Sequence, residues 1–364
     1  MKTRAALVRE EKGNFQIEEL TLGDLRPDEV LVKIAGAGIC HTDLISRDQI
    51  YPVPLPCVFG HEGSGTVEAV GADVKKVSVG DHVVLSFQSC GTCRNCLAGQ
   101  PSRCINIFPC NFGGCRTDGS LTYNNEGEQI HANFFNQSSF AEFAIASERN
   151  TVKVTDKVPL DILGPLGCGI QTGAGAILNN LKPEAGSAIA IFGCGSVGLA
   201  ALMAAKLAGC TQIIAIDLMD ERLNMASELG ATQTINANSG SVVESIHQAS
   251  GDGVNYSVEC TGVASVLRQA VDSLNNTGTC ALVGAAPPGE ECKIDMNSIM
   301  FGRTLTGVIE GDAVPDIFIP QLIALYEQGS FPFDKLIQFY PLNEIQQAVE
   351  DMEAGRAIKP VLRP

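Results

Sequence analysis

The chain has 364 residues, of which 45% are hydrophobic and 18% are charged, and its formal net charge is −16. This length suggests two domains, each large enough to form its own core. The excess of acidic residues argues against nucleic acids and anionic membranes as partners, because both call for clustered Lys and Arg.

The start of the chain predicts no secretory signal, since MKTRAALVREEKGNF has only a four-residue apolar run before charged residues resume. Fourteen cysteines are present, and thiols persist as metal ligands in a reducing compartment. We therefore expect a cytoplasmic protein.

Short β-rich runs separated by Gly and Pro fill the chain up to about residue 180; they include VLVKIAGAGI, GTVEAVG and DHVVLSF. This pattern is typical of a mostly β domain with functional residues on its loops. Three loops stand out: one holds Cys40 and Asp43, one holds His61 and Glu62, and one holds Cys168. Singly, each Cys or His would more often be a core residue. Together, two Cys and one His can hold Zn²⁺ and leave its fourth position for water or substrate.

The segment CGTCRNCLAGQPSRC contains four cysteines with the spacing C-x2-C-x2-C-x7-C; they are Cys90, Cys93, Cys96 and Cys104. Two-residue gaps let neighbouring thiolates point to one centre, and four sulfurs complete a tetrahedral Zn²⁺ shell with no open position. A disulfide or redox cluster is the alternative, and it fits this spacing less well. The segment therefore predicts a structural zinc site.

The stretch 185–205 carries no charge over 21 residues, which is long enough to span a bilayer. Glycines interrupt it, so a buried strand, a turn and a helix explain it better. The predicted strands are Ala188–Phe192, Gln212–Ile216, Tyr256–Glu259 and Cys280–Val283, and the predicted helices are Val197–Ala208, 220–230 and Val266–Leu274. Such alternation builds a parallel sheet.

Gly193, Gly195 and Gly198 form the pattern G-x-G-x-x-G between the first of these strands and its helix. These glycines permit a tight turn, approach of a pyrophosphate and close packing of helix on strand. Asp217 follows Gly198 by 19 residues and should bind the adenosine ribose and repel a 2′-phosphate, which predicts NAD over NADP. Its alternative is an ordinary helix-capping acid. Arg222 could lie over the adenosine or be a solvated helix residue.

Over essentially its full length the chain resembles the zinc-dependent, medium-chain alcohol dehydrogenases. GHEGSGTVEAVG fits that family's G-H-E-x2-G-x5-G signature, the cysteine segment matches its structural-zinc lobe, and GCGSVG matches its NAD site. CHTDLISRDQIYPVPLPCVFGHEG, SSFAEFAIASERNTVKV and GPLGCGIQTGAGAILN more narrowly resemble bacterial aryl-alcohol (benzyl-alcohol) dehydrogenases. The resemblance implies an α/β protein with a doubly wound Rossmann domain and a mostly β, GroES-like catalytic domain.

The resemblance also implies that Cys40, His61 and Cys168 bind the catalytic zinc, a ligand set already associated with alcohol dehydrogenases. It makes Asp43 the carboxylate that orients the His61 ring. Glu62 would sit behind the metal and ligate it transiently. A buried ion pair is the alternative for either acid.

In the family, zinc lowers the pKa of the alcohol and hydride passes to the nicotinamide. Thr42 matches the hydroxyl that takes the alcohol proton. Many relatives pass this proton to a histidine five residues after the first ligand, where this chain has Ile45. We expect His41 to receive it, or the relay to end in ribose and water; His41 also occupies a position that contacts the pyrophosphate.

Other positions carry expected contacts. Thr172 and Val197 align with residues that touch the nicotinamide, and Lys359 with a basic pyrophosphate partner, surface solvation being its alternative. Tyr51 and Phe87 fall near substrate-lining positions, where aromatic walls would suit a planar alcohol. Either ring could equally be plain core.

TLTGVIEGD predicts a strand, and PDIFIPQLIALYEQG and NEIQQAVEDMEAG predict amphipathic helices. The predicted domains are a catalytic domain over 1–170 with the structural-zinc lobe at 90–104, an NAD-binding domain over 171–311, and a C-terminal return over 312–364. We expect a homodimer or homotetramer, by resemblance to the family.

The expected activity is reversible, NAD-linked oxidation of a primary aromatic alcohol to its aldehyde, with two zinc ions per chain. Glutathione-linked formaldehyde oxidation and oxidation of an allylic terpene alcohol are alternatives. A non-enzymatic role is disfavoured because all three catalytic ligands are present.

Overall fold

The structure, a computed structural model, describes residues 1–125 and 127–364. These residues form two compact units. The first consists of 1–168, 314–327 and 334–364, and the second of 169–313 and 328–333. The domain boundaries predicted from the sequence lie after residues 170 and 311, and the boundaries between the two units lie after residues 168 and 313. The short segment 328–333 lies in the second unit rather than in the predicted C-terminal return.

Short strands dominate the first unit up to residue 168. The strands are β1 (Lys2–Val8), β2 (Gln16–Thr21), β3 (Glu29–Gly38), β4 (Cys57–Val58), β5 (Gly63–Val70), β6 (His82–Leu85), β7 (Phe143–Ser147) and β8 (Thr151–Lys153). The helices are α1 (His41–Arg47), α2 (Arg94–Leu97) and α3 (Ile107–Phe112). Short 3₁₀ turns lie at Pro101–Arg103, Phe134–Asn136, Glu148–Asn150, Leu160–Ile162 and Gly164–Gly167.

Strands and helices alternate in the second unit. The strands are β9 (Ala188–Phe192), β10 (Gln212–Asp217), β11 (Gln233–Asn236), β12 (Val254–Glu259), β13 (Leu274–Leu282) and β14 (Thr304–Gly307). The helices are α4 (Gly169–Gly175), α5 (Ser196–Leu207), α6 (Asp220–Leu229), α7 (Val242–Ser250), α8 (Ala264–Asp272) and α9 (Met296–Met300), with a π turn at Ala176–Leu181 and a 3₁₀ turn at Glu310–Asp312.

The six-stranded sheet of this unit is parallel, in the order β11-β10-β9-β12-β13-β14. This is the doubly wound Rossmann order, with β9 at its centre. Residues 189–192 of β9 are almost fully buried, as expected for a strand covered on both faces. The uncharged stretch 185–205 is therefore a strand, a turn and a helix, as predicted. Among the described residues, no helix has the length and apolar character needed to cross a membrane.

The C-terminal part adds the last elements. They are α10 (Pro315–Glu327), a 3₁₀ turn at Phe333–Leu336, β15 (Ile337–Pro341), a 3₁₀ turn at Leu342–Glu344, α11 (Ile345–Glu353) and β16 (Lys359–Arg363). β16 pairs with β3 and extends the main sheet of the first unit, whose order is β15-β16-β3-β5-β6-β8, with β7 also on β3. A smaller sheet has the order β2-β1-β4. The predicted α/β fold, with a Rossmann sheet and a mostly β second region, is confirmed.

The strand predicted for TLTGVIEGD is wrong in its second half. β14 ends at Gly307, and Glu310–Asp312 form a 3₁₀ turn in which all three residues have positive φ. Left-handed backbone of this kind cannot continue a strand.

Candidate active site and structural metal site

Asp43 organises the start of α1. It is the third helical residue after Cys40, and its Oδ2 accepts a hydrogen bond from the Cys40 backbone N–H at 2.9 Å, which caps the helix. Its Oδ1 accepts from the Gly60 N–H at 3.1 Å and lies 2.8 Å from His61 Nδ1. One fully buried carboxylate thus joins the backbone of one predicted ligand to the ring of another.

The His61 imidazole is fully buried and held on three sides. Asp43 faces its Nδ1, Phe135 stacks on it with ring centroids 4.4 Å apart, and Phe134 meets it edge-on at 5.5 Å. Its Nε2 has no hydrogen-bond partner among the described residues. A buried, unpartnered nitrogen is costly, whereas a histidine that bonds a carboxylate through one nitrogen is oriented to ligate metal with the other.

Four ligand atoms come together around that nitrogen. Those of Cys40, His61, Glu62 and Cys168 all lie within 4.8 Å of one another. Ligands about 2.0–2.3 Å from one Zn²⁺ stand about 3.3–3.8 Å apart in a tetrahedron, so the group has the size that one zinc ion requires. Two thiols and an imidazole are the donors that zinc prefers.

Burial and neighbouring groups shift the pKa values of two members of this group. Hydrogen bonding with Cys168 holds the pKa of the Cys40 thiol well below its usual value, which favours the thiolate that a metal needs. Burial raises the pKa of Glu62, and the charge of Lys359 opposes that shift.

Lys359 is buried rather than solvated, so its surface alternative is wrong. It is 1% exposed, and its Nζ donates to both carboxylate oxygens of Glu62, at 3.0 and 2.9 Å, and to the Ile39 carbonyl at 3.0 Å. The ion pair that was the alternative for Glu62 is therefore present, although Glu62 also lies within the ligand group. A pyrophosphate contact by Lys359 stays a prediction.

The second candidate metal site is the cysteine cluster, whose sulfurs all lie within 4.8 Å of one another: Cys90, Cys93, Cys96 and Cys104. The Sγ atoms of Cys93 and Cys96 are 3.5 Å apart and those of Cys93 and Cys104 are 4.0 Å apart, close to the roughly 3.8 Å edge of a zinc–thiolate tetrahedron. Hydrogen bonds from the backbone of Thr92 and Cys93 lower the pKa of Cys90 to about 5. All fourteen cysteines are free thiols, so the disulfide alternative is absent from the structure.

The glycine-rich loop has the geometry that a dinucleotide requires. Gly193 has φ +91°, a conformation that favours glycine. A Cβ at Gly198 would lie 1.8 Å from the Gly193 carbonyl oxygen, so helix α5 can approach β9 only without a side chain there. A Cβ at Gly195 would meet no described atom within 4 Å. That open surface at the first turn of α5 fits an incoming pyrophosphate.

Asp217 ends β10 beside this loop. It is 8% exposed, and its carboxylate accepts backbone hydrogen bonds from Cys194 at 2.7 Å, Leu218 at 2.8 Å and Met219 at 3.0 Å. The N-cap of α6 is Met219, so the helix-capping alternative for Asp217 is wrong. Arg222 Nη1 lies 3.9 Å from the Asp217 carboxylate, which joins the two predicted adenosine residues in one group.

The predicted proton-transfer residues occupy the first turns of α1. Thr42 Oγ1 lies 3.9 Å from Cys40 Sγ, His41 is exposed, and Ile45 is buried. Thr172 is buried on α4, and Val197 is half-buried on α5. Their roles toward substrate and cofactor stay predictions.

The two predicted pocket aromatics have different surroundings. Phe87 is 3% exposed and belongs to the hydrophobic core of the first unit. This agrees with the alternative interpretation of Phe87 as a core residue. Tyr51 is half-buried and meets the rings of Phe108 and Phe112 edge-on, with centroids 6.0 and 5.8 Å apart. Of the two, Tyr51 is the one with ring contacts to Phe108 and Phe112.

Sequence reasoning missed most of this aromatic group, which we define as Tyr51, Phe108, Phe112, Phe134 and Phe135. Phe112 lies 5.3 Å from Phe135 and 5.7 Å from Phe134, measured between ring centroids. Ring contacts therefore run without interruption from the ring of His61 to Tyr51. The signal available in the sequence was the density of Phe in IFPCNF and NFF.

Comparison with known proteins identifies the relatives of the chain. Residues 196–328 match the family described as zinc-binding dehydrogenase, and residues 26–156 match the alcohol dehydrogenase GroES-like domain. A geraniol dehydrogenase from Castellaniella defragrans is 44% identical over 365 aligned positions, which cover 100% of this chain and 98% of that protein.

Two solved structures are similar over the whole chain. One is an alcohol dehydrogenase zinc-binding domain protein from Burkholderia ambifaria, with 50% identity and a TM-score of 0.98. The other is the benzyl alcohol dehydrogenase from Acinetobacter calcoaceticus, with 46% identity and a TM-score of 0.97. Each match covers 100% of this chain and 99% of the other chain.

Proposed function

Because this chain belongs to the family of zinc-binding, medium-chain alcohol dehydrogenases, we propose that its substrate is a primary aromatic alcohol of the benzyl alcohol type. The reaction is reversible oxidation to the aldehyde with NAD as hydride acceptor. The observation that carries the substrate class is the series of ring contacts from His61 through Phe135 and Phe112 to Tyr51. Offset and edge-on ring contacts of this kind suit a planar aromatic ligand.

The residues of the first unit supply the metal site. Cys40, His61 and Cys168 would hold the zinc, which when bound acts as a Lewis acid that lowers the pKa of the alcohol. Asp43 fixes the His61 ring through Nδ1 and keeps Nε2 directed at the metal. The phenyl groups of Phe134 and Phe135 exclude water from the other sides of the imidazole.

The proton of the alcohol needs an acceptor close to the ligands. Thr42 carries a hydroxyl 3.9 Å from the Cys40 sulfur, and it would accept this proton at Oγ1 while releasing its own hydroxyl proton to the next acceptor. Ile45 is apolar and cannot pass the proton further. His41, the exposed first residue of α1, directly precedes Thr42 and is proposed as the acceptor.

The second unit supplies the cofactor site. NAD, when bound, accepts hydride at the nicotinamide. The loop of Gly193, Gly195 and Gly198 would hold its pyrophosphate against the start of α5. Asp217 would accept hydrogen bonds from the ribose and repel a 2′-phosphate, which favours NAD over NADP.

An allylic terpene alcohol is the second candidate substrate. The 44% identical relative is a geraniol dehydrogenase, and an apolar, ring-lined wall can also hold an extended alkene. A pair of aromatic rings gains about 0.5–1.5 kcal/mol of interaction free energy beyond that of its buried area. The aromatic alcohol is therefore the preferred candidate.

Assembly and location are also proposals. β14 is the last strand of the six-stranded sheet, and the neighbouring Met300 and Phe301 are 69% and 66% exposed. An exposed strand edge beside apolar side chains supports association of two copies, as a homodimer or as part of a homotetramer. The free thiols support a cytoplasmic location.

A substrate screen tests the proposal. Purified protein is assayed for NADH or NADPH formation with benzyl alcohol, cinnamyl alcohol, geraniol, ethanol and S-hydroxymethylglutathione. Benzyl alcohol with NAD should give the highest kcat/KM, with about two zinc ions per chain by elemental analysis. Higher kcat/KM with geraniol would establish the second candidate, and a requirement for glutathione would overturn both.

A further inference from the structure

Strands β5 and β6 separate at the zinc site. They pair antiparallel at Ser64 with Val84, Gly65 with Val83 and Thr66 with His82. The same register would place Gly63 opposite Leu85 and then Glu62 opposite Ser86, yet β5 begins at Gly63 and β6 ends at Leu85. A side chain from elsewhere occupies that position.

The side chain is the carboxamide of Gln137, which is 2% exposed. Its Oε1 accepts from the Gly63 N–H at 3.0 Å, and its Nε2 donates to the carbonyls of His61 at 2.9 Å and Ser86 at 3.3 Å. The carboxamide therefore bonds to both strands as a peptide group would. Its orientation is unambiguous, because the reversed amide would direct an oxygen at two carbonyl acceptors.

The same carboxamide reaches a second metal ligand through Ser86. The Ser86 hydroxyl donates to the Gly167 carbonyl at 2.7 Å, and Gly167 directly precedes Cys168. A Cβ on Gly167 would lie 2.2 Å from the Leu85 carbonyl oxygen, so these two backbones are in close contact. Gln137 is thus connected to His61 on one side and to Cys168 on the other.

The backbone around Gln137 is held in an unusual conformation. Asn133, Phe135, Asn136 and Ser138 all have φ between +49° and +63°. Left-handed non-glycine residues are costly and persist only where surrounding contacts fix them. Here the Ser138 hydroxyl donates to the Val58 carbonyl at 2.6 Å, which anchors the segment to the strand that leads to His61.

We propose that Gln137 is a positioning residue of the catalytic metal centre, which holds His61 and Cys168 at the separation that zinc requires. Asp43 joins Cys40 to His61, and Gln137 joins His61 to Cys168 through Ser86. The three ligands therefore belong to one hydrogen-bonded frame. This inference rests on the zinc site of the proposed function but not on which alcohol is oxidised.

The test replaces Gln137 by methionine, which is similar in length and cannot make the three hydrogen bonds. Asn111→Leu is the matched control for the catalytic site, because Asn111 is also a buried amide with three backbone hydrogen bonds, to Gln88 and Ile107, and none of them involves Cys40, His61 or Cys168. Zinc is exchanged for Co²⁺, whose absorption spectrum reports ligand geometry. Metal release to a chelator is timed for each variant.

Residues that orient metal ligands typically change metal affinity about 10- to 100-fold when they are replaced. We expect Gln137→Met to release the catalytic metal at least about tenfold faster, with a shifted Co²⁺ spectrum and a lower kcat, while the cysteine cluster keeps its metal. Asn111→Leu should keep the parental Co²⁺ spectrum of the catalytic site and the parental rate of metal release from it. A folded Gln137→Met protein whose Co²⁺ spectrum and rate of metal release equal those of the parent overturns the proposal.

A second variant keeps the test decisive if Gln137→Met does not fold. Ser86→Ala removes only the hydroxyl that reaches Gly167. It should accelerate metal release by a smaller factor than Gln137→Met. A rate of metal release equal to that of the parent would also overturn the proposal. Since release is measured without substrate, a screen that finds no alcohol oxidation would contradict the proposed function and leave this inference standing.

Discussion

The Lys359 ammonium and the Glu62 carboxylate form a fully buried ion pair beside the predicted zinc ligands. The two Nζ–O distances are 3.0 and 2.9 Å, and the side chains are 1% and 0% exposed. Glu62 follows His61 directly in the chain, and Lys359 begins β16, which pairs with β3. The C-terminal strand therefore brings a positive charge to the Glu62 carboxylate of the candidate metal site.

Removal of one partner should be strongly destabilising. Lys359→Met would leave the Glu62 carboxylate buried without its partner, and such changes cost about 3–5 kcal/mol. The free energy of unfolding, measured by urea denaturation, should fall by that amount. A double variant that adds Glu62→Gln should recover a large part of the loss, because the unpaired charge is then removed.

Arg363→Met is the control for this pair. Arg363 lies on the same strand and pairs with Asp161, but its side chain is 50% exposed. Exposed pairs contribute about 0–1 kcal/mol, so this variant should remain close to the parent. Equal losses for Lys359→Met and Arg363→Met would contradict the role assigned to burial.

Asp217 should determine which dinucleotide is used. Asp217→Asn removes the negative charge and keeps an oxygen that can accept backbone hydrogen bonds. Repulsion between charges about 4 Å apart is worth about 1–4 kcal/mol near a protein surface, so the NADP-to-NAD ratio of kcat/KM should rise at least about tenfold. Asp220→Asn, an exposed acid in the first turn of α6, should leave the ratio unchanged. A similar rise in that control would show that general charge is responsible.

The cysteine cluster should contribute to stability rather than to chemistry. Cys96→Ser removes one of four thiolates, and structural zinc sites supply folding free energy directly. We expect zinc content to fall by about one ion per chain and the Tm to fall by several degrees. Cys110→Ser changes a thiol that lies outside the ligand group and should retain both values. Loss of the catalytic metal instead would contradict the assignment of the two sites.

Local spacing was enough to predict that four cysteines come together and that the glycine-rich turn lies between a strand and a helix. The cysteines from 90 to 104, the three loop glycines and Asp217 lie in short segments, so their local geometry follows from neighbouring residues of the chain. The start of α1 is similar, because Cys40 and Asp43 are three residues apart and form a capping interaction.

Long-range packing was not predictable from one sequence. Glu62 and Lys359 are 297 positions apart, and Gln137 is 76 positions from His61, so no local pattern joins them. β11 and α7 were also missed. β11 has the sequence QTIN, with one apolar residue, and α7 is short, so neither shows a strong period.

His41 should have two separable effects. His41→Gln removes the titrating imidazole while keeping a polar side chain, so the pH dependence of kcat should change if His41 accepts the alcohol proton. The KM for NAD should rise if it also contacts the pyrophosphate. A raised KM with an unchanged pH profile would leave only the phosphate role. His131→Gln, in a histidine that contacts the Gly114 carbonyl, should alter neither quantity.

The aromatic group should determine the preference among alcohols. Phe112 links Tyr51 to Phe135 through ring contacts on both sides, so Phe112→Leu keeps an apolar side chain and removes the ring interactions. Because a ring pair contributes about 0.5–1.5 kcal/mol, kcat/KM for benzyl alcohol relative to geraniol should fall about two- to tenfold. Phe15→Leu is the control, since that ring packs in the same core against Phe59 and Phe140. An equal change of the ratio in the control would mean that core packing, rather than contact with the substrate, sets the preference.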